Sequence, residues 1–103
     1  MNFWLRYLHP RLVDVITEFG YSEPTPIQER AIPKVLSGTN VLITAPTGSG
    51  KTEAAMFPIM SKILGEGGAG GIAAIYITPA RALNRDVNIR LREIATRLGI
   101  TTA

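Results

Sequence analysis

The ten residues APTGSGKTEA, Ala45 to Ala54, follow directly on the apolar run Val41, Leu42, Ile43. A plain turn needs one or two residues of unusual backbone freedom. Gly48, Ser49 and Gly50 supply more than that, and such backbone is costly to order. Whatever orders it has to come from contacts that an apolar core does not make. The lysine and threonine closing the stretch bear on what those contacts are, once the flanking elements are read.

Asn40 to Thr44 reads as a short strand, its unbroken Val-Leu-Ile run suited to burial on both faces of a parallel sheet. Lys51 to Leu64 reads as a helix that is apolar most of the way round, with a kink or early break expected at Pro58. Upstream, Leu12, Ile16 and Phe19 recur at helical spacing, so Pro10 to Phe19 is a helix that Gly20 ends. In YSEPTPIQ, Pro24 and Pro26 stiffen the backbone, and Thr25 can cap a second helix from Pro26 to Ser37. That helix should bend or break at Pro33 and close at Gly38. Downstream, GEGGAGG (65–71) reads as a mobile surface connection and Ile72 to Thr78 as a second buried strand. Ala80 to Leu98 reads as a long helix with Leu83, Val87, Leu91, Ile94 and Leu98 on one face. Gly99 stops it, and ITTA looks like the start of a third strand. Strands alternating with helices predict an α/β fold: a parallel sheet flanked by helices, here incomplete.

Composition closes off several classes. A chain of 103 residues holds one small domain at most. A net charge of +3 permits a nucleic-acid partner without arguing for one. Cysteine is absent and His9 is the only histidine, which excludes disulfides and leaves no ligand set for a zinc cluster. The start, MNFWLRYLHP, is broken by Arg6 and Pro10 and does not resemble a signal peptide, and no apolar run is long enough to span a bilayer. A soluble protein of the cytoplasm, with no membrane partner, is the expectation.

Strand, glycine-rich turn and helix give the opening stretch its meaning. Ala45 to Thr52 fits [A/G]-x-x-x-x-G-K-[S/T], the phosphate-binding loop, with alanine first. The backbone N–H groups of Thr47, Gly48, Ser49 and Gly50 can turn inward around an anion, and the helix N-terminus adds free donors and a positive dipole end. Lys51 places a point charge on the terminal phosphates of a nucleotide, and the Thr52 hydroxyl is the expected ligand of Mg²⁺. Lys51 is also the candidate catalytic residue, because it can stabilise charge on the transferred phosphate.

Three stretches in order narrow the family: GYSEPTPIQ, APTGSGKTEAA and ITPARALNRDV. Together they resemble the Q motif, motif I and motif Ia of superfamily 2 helicases, the group that holds the DEAD-box and DExH proteins. The pairing of SGKTEAA with PARALNRD is most similar to the large helicase-related proteins of archaea and bacteria. The resemblance implies a RecA-like P-loop NTPase in two parts, an N-terminal helical Q-motif region (1–39) and the truncated first part of the ATP-binding domain (40–103). It implies that Gln28 reads the adenine edge, although a residue there can also simply cap the first helical turn. It implies that Tyr21 packs on the adenine face, although it can equally fill the core. Arg81 and Arg85, on one narrow sector of the last helix with Arg92, are the candidates for the phosphates of a nucleic-acid single strand, DNA or RNA, within a duplex substrate. Arg11 stands near the place of an upstream aromatic of the DEAD-box pattern, and PARALN replaces PTRELA, which points away from the DEAD-box branch.

None of the acidic residues closes an apolar strand, and no DExD/H tetrad occurs. The expectation is therefore the N-terminal portion of an ATP-driven helicase, inactive by itself. The edges of its 40–44 strand would lack neighbours and invite association. A small-molecule kinase and a non-catalytic nucleotide-binding module are the alternatives. PTPIQ and PARAL serve no purpose in a kinase, and an acidic tetrad downstream would exclude the module.

Overall fold

The computed structural model describes residues 2–46, 48–66 and 85–102, with the backbone alone for Arg85. Five helices follow one another: α1 (Phe3–Tyr7), α2 (Pro10–Glu18), α3 (Pro26–Leu36), α4 (Lys51–Glu66) and α5 (Arg85–Arg97). Their starts are written in side chains. Asn2 Oδ1 accepts from the Trp4 N–H at 2.9 Å to open α1. His9 Nδ1 accepts from the Arg11 N–H at 3.2 Å to open α2, with Pro10 in the first turn, where a missing N–H is harmless. Thr25 opens α3 through a full capping box with Gln28. The glycine stops read from the sequence at Gly20, Gly38 and Gly99 all hold, each with positive φ.

Of the bend or break expected at two prolines, the break does not occur. α3 runs through Pro33 and α4 through Pro58 without a break. An interior proline removes one helical hydrogen bond and crowds the preceding turn. Pro58 is fully buried beside Phe57, so packing on several sides holds the helix together where propensity alone would end it. α4 also extends through Gly65 and Glu66, two residues into the stretch read as a surface connection.

One apolar cluster joins all the helices. Trp4, Leu12, Ile16, Ile32, Phe57 and Ile94 are fully buried in it, with Leu8, Met60, Leu91 and Leu98 at its margins. The cluster draws on residues from both sides of position 40. Trp4 lies at its centre. Its ring meets Phe57 edge to face at 5.8 Å, and its Nε1 donates to the Tyr21 carbonyl at 2.9 Å. Polar ties stitch the rim: the His9 N–H donates to Ser61 Oγ at 2.8 Å, and Arg11 Nη2 donates to the Leu98 carbonyl at 3.3 Å. Arg97 pairs with Glu18 and lies 5.6 Å over the Phe19 ring.

The expected sheet is not seen among the described residues. Residues 40–44 form no strand, and Leu42 is 92 % exposed where burial on both faces was expected. A strand exists only through its ladder partners. The backbone of residues 40–44 makes no hydrogen bond to another described residue. Ile100 to Thr102 is likewise not a strand, and Ile72 to Thr78 lies outside the described residues. In α5 the expected apolar face is present from Val87 onward, with Leu91, Ile94 and Leu98 buried; Leu83 lies outside the described residues.

Replacing Trp4 should reveal how far the core depends on the N-terminal helices. We expect Trp4→Ala to lower stability by about 3–5 kcal/mol, and Trp4→Phe by clearly less, in urea unfolding followed by circular dichroism. Equal, small losses would show that α1 merely rests on the core.

Candidate functional site

The turn between Ala45 and Lys51 is shaped by two glycines in left-handed backbone, Gly48 at φ +83° and Gly50 at φ +86°. Between them the Ser49 N–H donates to the Pro46 carbonyl at 3.2 Å, and the Ala54 N–H donates to the Gly50 carbonyl at 3.0 Å as α4 begins. Lys51 is exposed, and its Nζ donates to the Ala45 carbonyl at 2.9 Å, spanning the loop from end to start. Ser49 Oγ is buried with no hydrogen-bond partner among the described residues. A buried hydroxyl left unpaired is costly, and an acceptor oxygen of a ligand at this turn would relieve that cost.

Gln28 is only 2 % exposed and joins two elements. Its Oε1 accepts from the Thr25 N–H at 2.9 Å, which completes the cap of α3. Its Nε2 donates to the Gly50 carbonyl at 3.2 Å, which fastens the loop to that cap. The approach is so close that a Cβ on residue 50 would stand 2.4 Å from Gln28 Nε2. Beside this clamp lies a cavity of about 370 Å³ between the start of α3 and the loop, lined by Thr25, Pro26, Ile27, Arg30, Ala45, Pro46 and Ser49. Its size falls within the range of small-molecule sites.

Tyr21 stands elsewhere. Its ring meets Phe57 edge to face at 5.1 Å, and its hydroxyl donates to Glu53 Oε2 at 3.0 Å and accepts from Arg90 Nη1 at 2.7 Å. The residues lining the cavity do not include it. Thr52 is half-buried at the head of α4. Arg85 is the first residue of α5, whereas Thr47 and Arg81 lie outside the described residues. The structure thus brings Gln28, Ser49, Gly50, Lys51 and Thr52 together and joins Tyr21 to Glu53 and Arg90. Glu53 and Arg90 escaped the sequence reading. The available signal was a carboxylate in the first turn of a helix apolar nearly all round, which calls for a buried partner.

A hydroxyl without a partner, a glycine-built turn and an amine over it at the head of a long helix fit a phosphate group. Against known proteins, the DEAD/DEAH box helicase model matches residues 25–103. The chain belongs to the DEAD/DEAH box helicase family. The match begins at Thr25, the residue that caps α3. Among similar proteins are DEAD-box ATP-dependent RNA helicase 57 of Oryza sativa subsp. japonica, 43 % identical over 82 % of this chain and 15 % of that protein. Another is the probable ATP-dependent RNA helicase DDX52 of Rattus norvegicus, 40 % identical over 89 % of this chain and 15 % of that protein. The ATP-dependent rRNA helicase SPB4 of Encephalitozoon cuniculi is 40 % identical over 85 % of this chain and 19 % of that protein. The chain therefore spans less than a fifth of the length of these relatives. The first of these names is that of a DEAD-box protein, the branch from which the PARALN spelling had pointed away.

The two loop glycines make a controlled pair. Both carry positive φ, but a Cβ at Gly48 meets nothing within 4 Å. We expect Gly48→Ala to bear only the left-handed backbone cost of about 1–2 kcal/mol, and Gly50→Ala to lose more because Gln28 must give way. Thermal melts of the two variants check this; equal losses would remove the clamp from the account.

Proposed function

We propose that this chain carries the nucleotide-grasping part of an ATP-dependent RNA helicase. The observation that carries the reading is the unpaired Ser49 hydroxyl in a turn bounded by Gly48, Gly50 and Lys51, fastened by Gln28 to the cap of α3. The names of the relatives, ATP-dependent RNA helicases, support ATP as cofactor and RNA over DNA as the partner.

In this reading the loop N–H groups from Thr47 to Gly50 and the head of α4 hold the phosphates. Lys51 exchanges the Ala45 carbonyl for phosphate oxygens and neutralises charge that builds on the transferred group. Mg²⁺ takes oxygen ligands, and the Thr52 hydroxyl is the one that this chain offers, with the phosphates supplying others. The bound ion would draw charge from the phosphoryl oxygens. The adenine base occupies the cavity between Pro26, Ile27 and Pro46. Gln28 spends one valence of each amide group on Thr25 and Gly50, so one donor and one acceptor remain to match adenine once this side chain, buried and outside the cavity lining as it stands, turns toward the base. Arg81 and Arg85 hold the phosphate backbone of a single strand without reading its bases. The 1–39 and 40–103 regions act as one unit around this site, in the cytoplasm and without a membrane. Among the described residues no helix is long and apolar enough to cross a membrane.

Two substitutions in the intact protein test the assignments. Lys51→Ala should reduce ATP hydrolysis by on the order of a hundredfold or more in a phosphate-release assay, and retained turnover would remove Lys51 from the chemistry. Gln28→Ala should weaken ATP more than GTP in competition titrations. Equal losses would leave Gln28 as clamp and cap alone.

A further inference from the structure

Glu53 sits in the first turn of α4, one residue after Thr52 and two after Lys51, and is only 6 % exposed. A carboxylate buried to that degree needs partners. They come from opposite directions along the chain. The Tyr21 hydroxyl, ahead of α3, donates to Glu53 Oε2 at 3.0 Å. Arg90, on α5, donates from Nη1 to the same hydroxyl at 2.7 Å and lies 3.9 Å from Glu53 Oε2. Its guanidinium also stands 5.6 Å from the centre of the Tyr21 ring. The phenol thus spends its proton on Glu53 and a lone pair on Arg90, giving a directed chain from Arg90 through Tyr21 to Glu53. Burial above all raises the pKa of the Tyr21 hydroxyl; Arg90 pulls it the other way and the Glu53 charge adds to the rise, so the phenol keeps its proton.

Such a group is a poor choice for stability alone, since apolar packing of similar volume often does as well as a buried ion pair. Its position says more. At one end it touches the turn of α4 that begins at Lys51. At the other it holds α5, whose first residue is Arg85. We propose that Arg90, Tyr21 and Glu53 are positioning residues forming a coupling joint, through which nucleotide at the phosphate loop and an RNA strand at the head of α5 change each other's affinity. The inference rests on the function proposed above. Neither Glu53 nor Arg90 touches either ligand in this account. Each acts by fixing the first turn of α4 against α5.

The test measures linkage in the intact protein, with Mg·AMP-PNP and a fluorescein-labelled oligouridine as probes. Linkage between two sites is reciprocal, and it ordinarily amounts to about 5- to 150-fold. We expect AMP-PNP to tighten RNA binding in the wild type within that range. Arg90→Gln should bring the factor to about twofold or less with either ligand's affinity alone little changed, while the melting temperature falls because Glu53 loses its charged partner. Arg90→Lys, which keeps charge and donor, should restore most of the linkage, and Tyr21→Phe should lose it as Arg90→Gln does. A purely structural role would lower both affinities while leaving the factor intact, and that result overturns the joint. A wild type that binds both probes without linkage overturns the joint and spares the proposed function. A wild type that binds no AMP-PNP overturns the proposed function, and the joint falls with it.

Discussion

The amide of Gln28 holds the two halves of the site in register. One end closes the cap of α3 and the other grips the carbonyl of Gly50, so the conformation of the phosphate loop is tied to the start of a neighbouring helix. Without that grip the loop would be held, among the described residues, by its own turn hydrogen bond, by the first bond of α4 from Ala54 to Gly50, and by the Lys51 amine, a group that a ligand is meant to take over. The close approach is possible because residue 50 has no Cβ. Loop, cap and cavity wall therefore stand or fall together, which is the arrangement expected where a site must be preorganised for a highly charged ligand.

What the sequence made legible was local. Helix starts at Pro10, Pro26 and Lys51 and stops at Gly20 and Gly38 depend on residues within one turn, and each appears in the structure where its capping chemistry lies. The glycine turn was legible for the same reason. The strand at 40–44 was not, because an apolar run states a willingness to pair and not the presence of a partner. Helix persistence through Pro33 and Pro58 was also hidden, being decided by packing on Ile32 and Phe57 that spacing alone does not disclose.

The site residues divide along the same line. Lys51, Thr52 and the loop glycines are adjacent in sequence, so their pattern carried its chemistry. Gln28 was legible both as a capping residue and as a base reader, and its position in the structure shows the cap and adds a grip on Gly50 that no local pattern contains. Tyr21 was read as packing either on a base or in the core. Its partners, Glu53 and Arg90, lie 32 and 69 residues away, and only the folded chain brings the three together.

The exposed Leu42 has a consequence for how the site becomes rigid. Any strand that pairs with residues 41–44 would cover that side chain and, in the same step, hold the backbone up to Ala45. Ala45 supplies the carbonyl on which the Lys51 amine rests, so such a pairing would anchor the front edge of the phosphate loop while Gln28 anchors its back edge. With that pairing the stiffness of the loop would come from two separate acts of folding, one among helices and one among strands.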